Sequence, residues 1–192
     1  MPIDYFFNDI LGIKDRDTIA ILQNMIRIIH FKKNEIIFNM GERPDMLAFL
    51  NYGVTRGYFV NPNGIEVTDC FDFRTGSPLV PSIPFDDVAR VYIEACTDCE
   101  LICFPMAEVI ELIKENVFFI KLYNELLLES LRNCLDLKNV LHCYNTAERY
   151  QWFKENYPTI ENIVKKKYIA SFLGMTEEHL CRLRNSNSRT GH

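Results

Sequence analysis

The chain has no long apolar run: none of its 192 residues lies in an uninterrupted apolar stretch of the roughly 18 residues that a bilayer span requires. A membrane partner is therefore not expected. A secretory leader is not expected either, because Met1-Pro2-Ile3-Asp4-Tyr5 has neither a basic start nor a small-residue cleavage site. Histidine is scarce, with four in the chain, and only His30 falls near the strand-rich region; His142, His179 and His192 lie in the C-terminal half. A cupin-type metal site needs several histidines and a carboxylate converging from neighbouring strands, so none can be assembled. P-loop, nucleophile-elbow and His-Glu-x-x-His patterns are all absent. These absences argue against an enzyme, and neither a metal nor a resident cofactor is expected.

What is present describes a globular chain. The hydrophobic fraction is 48 % and charged residues make up 24 %, enough to build a core and far from disorder. Seven cysteines, an odd number scattered through apolar segments, read as reduced thiols in a cytoplasmic protein rather than a disulfide framework. Cys96-x2-Cys99-x3-Cys103 invites a metal or iron–sulfur reading. Ile102-Cys103-Phe104 reads as a buried strand, however, with Cys103 facing the core, so ordinary thiols are the expectation. The net charge is −5, but it is unevenly spread. Residues 146–192 carry eight Lys/Arg against five Asp/Glu, and the rest carry 13 against 21. The positive balance at one end suits a tethered nucleic-acid module.

Three periodicities follow one another along the chain. Asp17 to Ile29 reads as an amphipathic helix, with Asp17 or Thr18 as N-cap and Ile19, Leu22, Ile26 and Ile29 at helical spacing. From Phe31 to Phe104, short β-branched and aromatic runs alternate with turn signals. The runs are Glu35–Phe38, Met46–Leu50, Arg56–Val60, Glu66–Phe73, Val91–Ala95 and Glu100–Phe104. Such spacing argues for a rolled or closed β structure. After Pro105 a helical pattern persists for almost forty residues, with a local break near Asn116. Beyond it Ile120, Leu127, Cys134 and Leu141 share one heptad position, and Tyr123, Ser130, Leu137 and Tyr144 share the other. That is the pattern of a two-helix seam between chains; packing on its own β domain alone is the simpler alternative.

The last segment carries three short helical patterns: Thr146 to Tyr157, Lys167 to Leu173, and one starting at Thr176, whose hydroxyl can cap the N–H of Glu178 or His179. Ala170 stands where two crossing helices leave room only for a small side chain. Gly174 supplies the positive φ that a tight inter-helix turn needs. Ile169, Phe172, Leu173, Leu180 and Leu183 would make the shared core. Thr176, Glu177, Glu178, His179, Cys181, Arg182 and Arg184 are left mostly outward, types that bond to base edges and phosphates.

The run Ile169 to Arg182 resembles the helix-turn-helix of the Crp/Fnr transcription regulators, with alanine, glycine, hydroxyl, acid and arginine in register. Met46-Leu47-Ala48-Phe49-Leu50-Asn51-Tyr52-Gly53, followed by Asn63-Gly64, likewise resembles that family's sensor. The resemblance implies an α+β chain in three parts. Residues 1–115 form a β-roll sensor (a double-stranded β-helix like the cyclic-nucleotide-binding domain) with an N-terminal helix. Residues 116–145 form a long dimerisation helix, and residues 146–192 an all-α helix-turn-helix. It further implies a bacterial homodimer that reads a palindromic operator in double-stranded DNA, with RNA polymerase as a possible further partner. Glu178 and Arg182 would read bases from a helix beginning at Thr176. Lys165, Lys166, Lys167, Arg184 and Arg189 would hold phosphates, because the sequence leaves the usual β-hairpin wing short or absent. An effector would contact Gly76, Ser77, Ser82 and Arg90. The family's ribose-binding acid is missing here, and Arg90 comes one place late with no hydroxyl after it, so cAMP is not the expected ligand. The rival reading is a signalling or interaction protein that has lost its hold on DNA.

Overall fold

The computed structural model describes residues 3–85 and 87–187, with backbone alone at positions 115, 186 and 187. Arg189 and any wing after the last helix lie outside the described residues. The chain is α+β, and its β part is two four-stranded sheets of order β1-β8-β3-β6 and β2-β7-β4-β5. The strands are β1 Arg27–Phe31, β2 Ile36–Phe38, β3 Met46–Tyr52, β4 Thr55–Val60, β5 Glu66–Asp72, β6 Pro78–Leu79, β7 Tyr92–Ala95 and β8 Cys99–Pro105. Helices α1 Ile3–Tyr5 and α2 Arg16–Met25 precede them, with a π-helical turn Phe6–Ile10 after α1. Helices α3 Met106–Glu115, α4 Val117–Cys143, α5 Thr146–Asn156, α6 Lys166–Phe172 and α7 Glu177–Asn187 follow.

Two elements differ from expectation at the start. The first helix ends at Met25 rather than Ile29, because Arg27–Phe31 pairs antiparallel with β8 in the register Ile29↔Leu101. The β-branched pair Ile28-Ile29 suits a strand at least as well as a helix, and a full ladder of backbone bonds decides the matter. The cap is Asp15, not Asp17 or Thr18. Its carboxylate accepts from Thr18 N at 2.8 Å and Thr18 Oγ1 at 2.6 Å, bonds that hold it below the usual carboxylate range. The two-residue β6 is a strand that no sequence pattern announced.

Strand β8 sits between β1 and β3 and is buried on both faces. Cys99, Leu101 and Cys103 point between the sheets, where they meet Ala48, Leu50, Ile93 and Ala95. Ile102 and Phe104 point the other way, onto Phe49, Phe6, Phe7 and the helices α2, α3 and α4. That explains the uninterrupted apolar run Leu101-Ile102-Cys103-Phe104, since a strand covered on both sides has no polar face to show. Burial pushes the Cys99 thiol up and that of Cys103 up to about 12. Among the described residues no group of three or more candidate ligands could hold a metal ion. In the second sheet, Arg56 is almost fully buried, with Nε 2.9 Å from Glu94 Oε1 on β7. Removing either partner alone would strand a buried charge.

By internal contacts the chain forms two compact units. One holds residues up to Gly57 with Phe71–Ser130; the other holds Tyr58–Cys70 with the residues from Leu131 onward. The tip of the β4–β5 hairpin therefore groups with the C-terminal helices, and Thr68 N donates to Ser171 Oγ on α6 at 3.0 Å.

Gly53 turns β3 into β4 at φ +107°, and a Cβ there would lie 2.6 Å from both Asp98 O and Cys99 Sγ. Both the backbone and the space exclude a side chain. Gly53→Ala is expected to cost about 1–3 kcal/mol, read as a lowered thermal midpoint in calorimetry. A midpoint unchanged within a degree would contradict this account of the turn.

Candidate nucleic-acid interface

The C-terminal unit is assembled around aromatic and aliphatic side chains whose spacing is helical. Phe153 from α5, Ile160 from a short 3-10 turn, Ile169, Phe172 and Leu173 from α6, and Leu180 from α7 are all essentially inaccessible. The Phe172 ring meets Phe153 at 6.0 Å and Tyr157 at 5.4 Å between centroids. Helix α5 starts with a full capping box. Asn145 accepts from the N–H groups of Ala147 and Glu148, and the Glu148 carboxylate accepts from Asn145 N.

The turn between α6 and α7 has the form expected from Ala170 and Gly174. Ala170 is 2 % exposed. Gly174 has φ +62°, with Arg149 Nη1 only 3.4 Å from where a Cβ would stand. Thr176 Oγ1 accepts from His179 N at 3.2 Å and so caps α7.

Arg189 apart, the nine residues of the helix-turn-helix proposed to touch DNA divide into three groups. Thr176, Glu177, Glu178 and Arg182 are exposed, and Glu178 and Arg182, four residues apart, lie on one face of α7. Lys165, Lys166 and Lys167 are also exposed, although the Lys165 and Lys167 ammonium groups lie 5.3 and 5.1 Å from the Tyr168 ring centre. The remaining two are turned inward, which corrects the expectation for them. His179 Nε2 is 2.9 Å from Thr146 Oγ1 on α5. Arg184 Nε is 3.1 Å from Glu161 Oε1, the oxygen that also accepts from Tyr150 OH. Both positions fall on the side of α7 that faces its own unit, where a polar side chain has to find a partner.

Two residues escaped the sequence reading. Asn185 is exposed three residues beyond Arg182, on the same face as Glu178 and Arg182; the helical period alone would have found it. Arg149 is the other. Its guanidinium donates to the carbonyls of Leu141, Tyr144 and Leu173, and no local pattern signals that role.

The four effector candidates are each engaged within the fold or turned to solvent. Gly76 has φ +88°, and Ile10 of the N-terminal segment occupies the space where its Cβ would stand, with Cδ1 at 2.4 Å from that point. Ser77 uses its backbone to bridge Leu50 and Arg74. Ser82 is buried, and its hydroxyl donates to Phe85 O at 3.2 Å. Arg90 stands in solvent, 3.7 Å from Asp87. An apolar cavity of about 50 Å3 beneath the start of α4 has none of the four in its lining.

The long helix has two apolar sides. Phe119, Leu122 and Leu126 join the core, and the Tyr123 ring meets Phe85 edge-on at 4.8 Å. Tyr123 is thus committed to its own chain, and Ser130 and Leu137 of the same heptad row are half-buried, whereas Tyr144 at its end is exposed. Ile120, Leu127, Cys134 and Leu141 are half-buried or exposed, as are Val117, Leu128, Leu131 and Leu135. No helix among the described residues is long and apolar enough to cross a membrane.

Residues 28–116 match the family model of the cyclic nucleotide-binding domain. No curated protein matches the sequence at a significant level. Among solved structures the fold is shared with FixK2 from Bradyrhizobium japonicum, at a TM-score of 0.74, 16 % identity and 86 % coverage of each chain. It is shared with the c-di-GMP-responsive global regulator CLP of Xanthomonas campestris, at 0.72 and 14 %, covering 92 % of this chain and 93 % of that one. A CRP-family transcriptional regulator from Thermus thermophilus matches at 0.67 and 18 %, over 85 % of each chain.

Burial, with the Glu161 carboxylate close by, pushes the Tyr150 phenol well above its usual range. Unfolded tyrosine ionises near pH 10, so the folded chain holds a proton that the unfolded chain releases. Stability tied to Tyr150 is therefore complete below pH 10 and drains away above it. Tyr150→Phe is expected to be less stable than wild type by about 1 kcal/mol at pH 8, with the gap closing by pH 11. Urea midpoints followed by fluorescence of Trp152, the single tryptophan, test this; a gap that stays constant across that range would refute it.

Proposed function

We propose that this chain, built on the fold of the Crp/Fnr regulators around a cyclic nucleotide-binding domain, is a DNA-binding transcription regulator that works as a homodimer. The observation that carries the reading is the exposed face of α7. Thr176, Glu178, Arg182 and Asn185 stand outward, while Leu180, His179 and Arg184 are held by the rest of the unit. A helix anchored on one side and polar on the other fits the major groove, where Arg182 can donate to guanine and Glu178 can accept from cytosine. Lys165, Lys166 and Lys167 supply the phosphate contacts, which set affinity and orientation but not sequence.

Dimerisation proceeds through α4. Its free apolar side brings together the rows Val117, Asn124, Leu131 and Ile120, Leu127, Cys134, Leu141, with Leu128 and Leu135 alongside. One of the two heptad rows expected from the sequence stays in this seam. The row through Tyr123 gives way to the one through Leu131. Two chains paired in this way place two α7 helices on successive turns of a palindromic operator, roughly 34 Å apart. An effector acting on the β-roll would shift the packing around α4 and with it the spacing of the two heads. Its chemistry is open, and the exposed Arg90 disfavours a phosphate ligand at that position.

Arg182→Ala is expected to relax preference at one base pair per half-site by about 1–3 kcal/mol, while Lys166→Ala weakens all duplexes alike and lowers the salt slope by about one. Leu131→Glu is expected to move the protein to monomer in sedimentation and to weaken operator binding with it. Duplexes drawn from a randomised pool, titrated at two salt concentrations, provide the measurement. Absence of salt-dependent binding to any duplex would leave the interaction-protein reading in its place.

A further inference from the structure

We propose that Arg149 is a positioning residue that locks the recognition helix to the end of the long helix, and so sets the half-site spacing the protein accepts. The bonds themselves carry the case. Arg149 Nε donates to Tyr144 O at 2.9 Å and Nη2 to Leu141 O at 2.6 Å. Nη1 donates to Leu173 O at 3.2 Å. Leu141 belongs to the last turn of α4 and Tyr144 follows directly, while Leu173 is the C-cap of α6. The last carbonyls of a helix have no partner within it, and they form the negative end of its dipole.

One planar cation thus closes two helix ends at once. It sits against the very turn from which α7 departs, beside Gly174. Arginine is suited to this because its five donors lie in one rigid plane and it stays charged at every working pH. Lysine, a single point with a flexible stem, can serve one helix end but cannot hold the angle between two. The β4–β5 hairpin reaches α6 through the bond from Thr68 N to Ser171 Oγ, which steadies that helix without tying it to α4. Leu180, His179 and Arg184 hold α7 against its own small core. The planar clamp ties the α6–α7 turn of that core to the end of α4.

The DNA arm of the test rests on the function proposed above; the fluorescence arm does not. Wild type, Arg149→Met, Arg149→Lys and Ile160→Val are compared as full chains. The last is a core variant that lowers the stability of the same unit without touching the clamp. Time-resolved anisotropy of Trp152, on the same helix as Arg149, reports nanosecond swinging of the head. The amplitude of that fast motion is expected to rise about twofold or more in Arg149→Met and to stay at the wild-type level in Ile160→Val. Arg149→Lys should recover the melting point but not the rigidity. Selection from a randomised duplex pool then reads spacing. Wild type should enrich half-sites about 10 bp apart, whereas Arg149→Met keeps the same half-site bases and loses about tenfold discrimination against spacings one or two base pairs off. Unchanged anisotropy in Arg149→Met, or equal swinging in Ile160→Val, would overturn the inference, as would unaltered spacing preference. A pool that enriches nothing with wild type would sink the DNA-binding reading instead, and the anisotropy would still decide the role of Arg149.

Discussion

A helix with apolar side chains on opposite sides can bury only one of them within a single chain, and α4 is made that way. Phe119, Leu122 and Leu126 on one side complete the core beside β8. Val117, Leu128, Leu131 and Leu135 on the other remain open. Each leucine covered by a second copy gains at most about 1.5–3 kcal/mol, less here because these side chains are already about half covered. Asn124 interrupts the open stripe. In a paired helix such a residue sacrifices some stability but selects one register and orientation. The helix thus has one side spent on its own core and one side left open, and the association proposed above would use the second.

The C-terminal unit divides its charges by the same logic. A small domain has little apolar area to spare, so polar side chains do part of the architectural work. Arg149 closes helix ends, Glu161 gathers Tyr150 and Arg184, Thr146 holds His179, and Asn145 with Glu148 starts α5. Lys165 and Lys167 lie against the Tyr168 ring, whereas Lys166 at the start of α6 and Glu178 and Arg182 on α7 stand exposed. Such residues are free to exchange water for phosphates or bases at low cost, whereas a nucleic-acid contact by Arg184 would first have to break its pair with Glu161.

How much of this could be read from the sequence depended on whether a residue's role is local. Ala170, Gly174 and Thr176 act within one turn of the chain, and the helix-turn-helix was legible from them almost residue by residue. The strands from Met46 to Phe104, the two-residue β6 apart, were legible because turn residues bound them. Strand β1 was not, since Ile29 fits both the helical spacing from Ile26 and the strand alternation with Phe31, and only pairing with β8, about seventy residues away, decides between them. The seam on α4 was half legible: heptad counting finds apolar rows but cannot know which row its own core has already taken. Arg184 and His179 were misread for a related reason. Helical spacing tells which residues share a face, but not that Glu161 and Thr146 stand waiting on the inner one.

The β-roll shows what a departure from a family pattern can mean physically. The cradle that would receive a phosphate needs a glycine backbone open to the ligand, a cation aimed inward and a hydroxyl free to donate. Here Ile10 lies over Gly76, Arg90 pairs with Asp87 at the surface, and the Ser82 hydroxyl is bonded to Phe85 O. A nucleotide would have to displace the N-terminal segment, turn an arginine away from its partner and break a buried hydrogen bond, each at a cost before any contact is made. Phe6 and Phe7, which precede Ile10, are completely buried against Phe49 and Phe104, so the segment over Gly76 is fastened to the same core that holds α4. Displacing it would disturb that core directly. The position of the N-terminal segment and the packing of the long helix are therefore coupled through shared side chains, and a change at either one is felt by the other.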